Sequence, residues 1–187
     1  MERHHFNHAM TILSNQNLNI LERMPSKDYR KCLEYMEEAI LDTDLGLFFQ
    51  KKDKAKELAN SGGFDSSNAE HRSLLKVIIM PCSDLSAMTK AFKDTRHTAN
   101  NVYHEFFLQG DEEKRLGLPY SAEIMDRSKQ SEIPRMQVDF YNFIVLPAYQ
   151  ILYSFLGEEV KPWLEAIQRN LHEWKNLKDS GVPYVLE

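Results

Sequence analysis

The chain has 187 residues, 42% of them hydrophobic and 27% charged, and a formal net charge of −5. These values fit one soluble globular unit, and with only Cys32 and Cys82 they exclude a collagenous, low-complexity or disulfide-scaffold chain. A mildly acidic chain is a poor general nucleic-acid binder, and no apolar run approaches the ~20 residues that span a bilayer. The start, Met1-Glu2-Arg3-His4-His5, has no apolar signal core. We therefore expect no nucleic-acid partner, no membrane span, and a reducing, cytoplasmic setting.

The spacing of apolar residues predicts helices along the whole chain, with no strand pair and no repeat. The first covers about residues 2–15 and yields to a polar break over 15–19. Pro25-Ser26-Lys27-Asp28 opens the second, with Ser26 as N-cap. Tyr29, Cys32, Leu33, Met36, Ile40 and Leu41 carry it towards Phe48. A short basic helix over about 51–60 stops at Ser61-Gly62-Gly63. Ser67 or Asn68 caps a helix through His71, Leu74, Leu75, Ile78 and Ile79, which Pro81 should kink or restart. Another, over about 94–109, ends at Gly110-Asp111.

A loop-rich stretch follows, punctuated by Gly117, Pro119 and Pro134. Residues 136–156 read as a long apolar helix interrupted by Pro147. The last helix, about 159–177, sets Trp163, Ile167, Leu171 and Trp174 on one face, and a frayed tail follows Lys178. The fold class is all-α, a helical bundle over residues 1–178 with no internal boundary, and a tail over 179–187.

Three groups of residues stand out for chemistry. Asp84 lies in the apolar run Leu74–Met88, where partial burial would call for a partner such as a metal ion. An N-cap of a helix restarting after Pro81 accounts for it equally well. His4 and His8 have the i, i+4 spacing of a shared zinc, but Glu2 and Arg3 beside them favour a solvated face or a supporting role. Gln137 and Phe140 share one side of a helix and would suit a purine's edge and face. An ordinary core Phe beside a surface Gln is the better reading of that pair taken alone. Asp42 and Asp44 are either polar contacts within the bundle or part of an acidic site. The Glu-Glu and Lys-Lys pairs read as solvated faces.

Six stretches carry a resemblance. They are Glu2-Arg3-His4-His5-Phe6, residues 39–45 (Ala-Ile-Leu-Asp-Thr-Asp-Leu), residues 82–90 around Asp84, and residues 105–111 (Glu-Phe-Phe-Leu-Gln-Gly-Asp). The others are Leu116-Gly117-Leu118-Pro119 with Asp126-Arg127, and Pro134-Arg135-Met136-Gln137. In this order and spacing the chain resembles the C-terminal half of the catalytic domain of class I 3′,5′-cyclic-nucleotide phosphodiesterases. The detail is most similar to the GAF-linked dual-specificity and cyclic-GMP branches.

The resemblance implies an HD-type all-helical metallohydrolase. It would cleave cyclic GMP, cyclic AMP or both with a hydroxide activated by zinc and a second divalent ion, magnesium. Carried over by position, Asp84 is a metal ligand, Gln137 reads the purine and Phe140 stacks on it. Leu85, Met88, Tyr103 and Phe106 line the pocket. Glu2, His4 and His5 lie close behind the metals, and residues 116–134 form a mobile loop over the nucleotide. The family's remaining metal ligands and its general-acid histidine precede this stretch, so no catalytic residue is assigned here. Pro81 stands where the family continues its helix, and Asp139 where a small or apolar residue is common. Asp139 should point away from the face that Gln137 and Phe140 share. The resemblance also implies pairing into homodimers. The competing reading is a non-catalytic interaction or regulatory module that pairs with a full-length phosphodiesterase.

Overall fold

The structure, a computed structural model, describes residues 1–186. Among them are eight α-helices, short 3₁₀ and π segments, and no strand. The chain forms two compact units, Met1–Asp84 and a second beginning at Leu85.

The first unit holds α1 (Glu2–Leu13), α2 (Ser26–Leu41), α3 (Leu45–Asn60) and α4 (Ala69–Asp84). Phe48, Ala55, Leu74, Val77 and Ile78 bury their side chains in it. Ser26 opens α2 without capping it, since Pro25 holds the N-cap position and makes no side-chain bond. The run expected to continue to Phe48 breaks at Asp42–Asp44. There Asp44 caps α3, its carboxylate accepting from the Gly46 N–H at 2.8 Å. Asn68 caps α4 by accepting from Glu70 N at 2.9 Å and His71 N at 3.3 Å. Pro81 neither restarts nor ends α4, which runs through it to Asp84. The ring is buried, so packing offsets the backbone bond that proline cannot donate.

Asp42 is buried, and its Oδ2 has no hydrogen-bond partner among the described residues. Burial and the nearby Glu38 push its carboxyl above the usual range, against the smaller pull of Lys51 and Lys76. A carboxyl whose pKa is raised on folding costs stability when ionised, and the cost fades as pH falls through that raised pKa. Asp42→Ala is therefore expected to stabilise the chain by about 1 kcal/mol at pH 7. The gain should shrink as pH falls into the ordinary carboxylate range, which urea titrations at two pH values will read.

The second unit holds α5 (Phe92–Arg115), α6 (Ile133–Phe140), α7 (Leu146–Leu156) and α8 (Lys161–Asp179). A 3₁₀ segment, Leu85–Thr89, leads into α5. Gly110 does not stop α5. It is buried inside the helix, where a Cβ would lie 2.0 Å from the Met125 carbonyl oxygen. The stop comes at Gly117, whose φ of +69° suits glycine; the next amide, Leu118 N, reaches back to Glu113 O at 2.9 Å.

Between α6 and α7 the chain widens into a π-turn, Tyr141–Val145, just ahead of Pro147. A wider turn lets the helical path continue where proline has no N–H to give. On α8, Ile167, Leu171 and Trp174 are buried as the spacing predicts, but Trp163 is 45% exposed. The frayed tail is a second difference. Tyr184 is buried, its ring packs near Trp174 and under the Arg96 guanidinium, and its hydroxyl donates to Asn100 Oδ1 at 2.7 Å.

Candidate functional site

Two helices of the second unit bring Gln137 and Tyr103 together. Gln137 sits on the buried side of α6, 7% exposed, and its Nε2 lies 3.4 Å from the Tyr103 hydroxyl on α5. Its Oε1 is buried without a hydrogen-bond partner among the described residues. Such an orphan costs about 1–3 kcal/mol unless something donates to it, so it is an acceptor still in want of a donor. Burial pushes the Tyr103 hydroxyl above its ordinary pKa, which keeps it a neutral donor and acceptor at pH 7. Phe106 stands edge-on to Tyr103 at 6.1 Å, and the Phe107 ring lies tilted to it, also at 6.1 Å.

Phe140 follows Gln137 by three residues on α6 and is half-buried. Asp139 takes the opposite side, 3.3 Å from Arg135, as its register predicts. Arg135 also pairs with Glu132 at 2.6 Å, so the outer face of α6 is a chain of ion pairs.

Met88 is buried and Leu85 half-buried, both on the 3₁₀ segment that follows α4. Asp84 ends α4 in the first unit and is exposed, unlike the partly buried carboxylate its apolar surroundings suggested. Glu2, His4, His5 and His8 lie on α1, and the three imidazoles are exposed. The rings of His4 and His8 are 6.1 Å apart, as the one-turn spacing requires. Among the described residues, no three His, Cys, Asp or Glu side chains stand together as a metal-binding set. Asp44 serves as a helix cap, whereas Asp42 is buried with its Oδ2 unpartnered among the described residues.

The stretch 116–134 is tied down at several points. Glu113, half of a pair expected to be solvated, is buried and accepts from Ser121 Oγ at 2.6 Å, Ser121 N at 2.9 Å and Gln109 Nε2 at 3.0 Å. Those bonds hold its carboxyl below the usual range, the Ser121 hydroxyl first among them. Arg127 lies over the Phe107 ring at 5.2 Å and pairs with Asp111 at 2.6 Å. Nothing local in the sequence marks Glu113: a glutamate six residues before Pro119 says nothing of burial.

No helix among the described residues is long and apolar enough to cross a membrane. Neither cysteine is in a disulfide, and burial pushes the Cys82 thiol up to about 12.

With this geometry in view, the comparisons with known proteins are specific. The chain is 35% identical over 179 residues to the cGMP-specific 3′,5′-cyclic phosphodiesterase of Drosophila virilis. The match covers 96% of this chain and 20% of that protein. The enzyme of the same name from Drosophila melanogaster matches at 35% over the same share of this chain and 16% of its own length. The chain thus spans a fifth or less of these relatives. The solved structure of LmjPDEB1 in complex with IBMX superposes with a TM-score of 0.85 at 28% identity, over 96% of this chain and 53% of that one. The family model described as 3′5′-cyclic nucleotide phosphodiesterase matches residues 1–167. The chain therefore belongs to the 3′,5′-cyclic-nucleotide phosphodiesterase family.

Proposed function

We propose that this chain is the nucleotide-reading part of a phosphodiesterase catalytic domain that hydrolyses cyclic GMP, cyclic AMP or both to 5′-monophosphates. The observation that carries the reading is the buried Gln137 carboxamide, with Nε2 turned to Tyr103 and Oε1 without a partner. An amide so placed asks for a ligand that donates a hydrogen bond, as guanine does at N1 and adenine at its 6-amino group. Phe140 would stack on the same base from one turn along α6, with Tyr103 and Phe106 beside it and Leu85 and Met88 as apolar wall.

Zinc and magnesium are the metals proposed for the complete domain. The described residues alone do not fit such a pair, because Asp84 is a single exposed carboxylate and no cluster of three donors surrounds it. Asp84 would supply one ligand, Glu2, His4 and His5 would stand behind the metals, and the remaining ligands would come from chain outside these residues. No step of the reaction is assigned to the side chains described here; their part is to bind and orient the base. We place the protein in the cytoplasm, in keeping with two cysteines outside any disulfide. No observation favours the interaction-module reading over this one.

The test is Gln137→Ala in a form extended upstream to complete the domain. KM should rise for both cyclic nucleotides by about 1–3 kcal/mol of lost binding, roughly 5- to 150-fold. An unchanged KM removes Gln137 from the site.

A further inference from the structure

The wall attributed to Leu85 and Met88 is built on backbone that makes almost no regular structure of its own. A 3₁₀ segment of five residues offers few internal bonds, so its position must come from what it touches. Two buried polar side chains of the second unit gather carbonyls of this segment and of Lys90 just beyond it. Asn170, on α8 and 3% exposed, donates from Nδ2 to Met88 O at 2.9 Å and to Lys90 O at 2.9 Å, and lies 3.2 Å from Thr95 Oγ1. Thr95, on α5 and fully buried, donates from Oγ1 to Ala87 O at 2.8 Å. Ala87, Met88 and Lys90 are thereby fixed by one amide and one hydroxyl.

The same node meets the far end of the glutamine helix. Tyr141, next to Phe140 and first in the π-turn, is fully buried, as is Trp174 on α8. The Tyr141 hydroxyl and Trp174 Nε1 have no hydrogen-bond partner among the described residues. Burial drives the Tyr141 hydroxyl far above its ordinary pKa, and Trp174, Thr95 and Asn170 are the polar neighbours that oppose this. None of the three reaches hydrogen-bond geometry with it, yet all stand around it. α8, which carries Asn170 and Trp174, packs against the 3₁₀ segment, against α6 and against the π-turn, so the node adjoins both the apolar wall and the element that carries Gln137 and Phe140.

We infer that Asn170, with Thr95, is a positioning residue: it sets the place of Leu85 and Met88 relative to Gln137 and Phe140, and so the width of the base slot. The inference rests on the nucleotide-pocket reading for its consequence, but its geometry stands apart from it. Substituting Asn170 leaves two carbonyl oxygens in the interior without a donor, and the cheapest response is for the 3₁₀ segment to move towards water.

Three variants test this: Asn170→Ala, Asn170→Asp and Thr95→Val. In the 187-residue chain, hydrogen exchange should quicken over residues 85–90 in each variant and stay unchanged in α7. Asn170→Asp should be the most affected, because it keeps the side chain's shape but turns a carboxylate on three oxygens. A pure packing role would rank Asn170→Ala worst and would overturn the inference, as would unchanged exchange over 85–90. Thr95→Val keeps the test open if the Asn170 variants do not fold. In the upstream-extended form, KM for cyclic GMP should rise about tenfold while kcat stays within about twofold. Faster exchange with an unchanged KM would keep the clamp but remove Leu85 and Met88 from the nucleotide pocket. That outcome is distinct from failure of the Gln137 test, which asks only about the amide.

Discussion

Residues 1–187 alone are expected to leave cyclic GMP and cyclic AMP intact with zinc and magnesium supplied, while a form extended upstream to complete the domain hydrolyses at least one. The expected gap is at least about four orders of magnitude in rate, since the metals supply the nucleophile and hold the developing charge. The argument is one of ligand count. A zinc that does chemistry takes about three protein ligands, and magnesium takes carboxylates in an octahedral set. Asp84 presents one carboxylate, exposed at the end of α4. The histidines of α1 are three in number but exposed, and among the described residues no three acidic, histidine or cysteine side chains stand together as a metal-binding set. Phosphate release from each form, coupled to a nucleotidase, is the measurement. Comparable turnover by the short chain would show that the metal set is misassigned and that donors described here assemble in solution. Silence in both forms would instead turn suspicion to Pro81, beside Asp84, and favour the interaction-module reading.

The fold class was legible because helical spacing is a repeated, local signal. Each of Tyr29, Cys32, Leu33 and Met36, or Ile167, Leu171 and Trp174, adds to the same inference, and errors average out. Ends were less legible because one letter serves two physical ends. Gly110 reads as a helix stop and is in fact a point of close approach, while Gly117, seven residues on, holds the left-handed turn. Pro81 reads as a break and is a buried residue inside α4. Ser26 and Asp44 are both good caps by type, and only Asp44 caps, because Pro25 occupies the place Ser26 would need.

For the site, the ordered motifs brought the reading to Asp84, Gln137 and Phe140, and the family match supports the frame in which they were read. What no pattern could supply is pairing across sequence distance. Tyr103 and Gln137 are 34 residues apart, Asn170 and Met88 82 apart, and neither pair has a local signature. An asparagine in an amphipathic helix looks like a solvated polar residue until the fold puts carbonyls in front of it. Glu113 is the same case: its charge predicts water, and two bonds from Ser121 take the place of water.

Gly110→Ala should cost about 3 kcal/mol, a fall in Tm of roughly 6–12 °C for a chain of this length. Two effects oppose each other. Alanine in mid-helix is favoured over glycine by about 1 kcal/mol, and the backbone at Gly110 has no left-handed φ to forbid it. Against that, the new Cβ would stand 2.0 Å from Met125 O and 2.8 Å from Met125 C. These are backbone atoms, so no rotamer change relieves the overlap. The turn Glu123–Met125 must withdraw by more than an ångström, and it is held by Met125 N to Ala122 O at 3.0 Å and Asp126 N to Glu123 O at 3.2 Å. The clash outweighs the propensity. Gly62→Ala is the control, because a Cβ there meets nothing and only the φ of +65° is at issue, a cost of about 1 kcal/mol. Thermal unfolding of both variants should place Gly110→Ala clearly below Gly62→Ala. A neutral or stabilised Gly110→Ala would mean that propensity alone acts at this position, and that α5 does not carry the 123–125 turn on its surface.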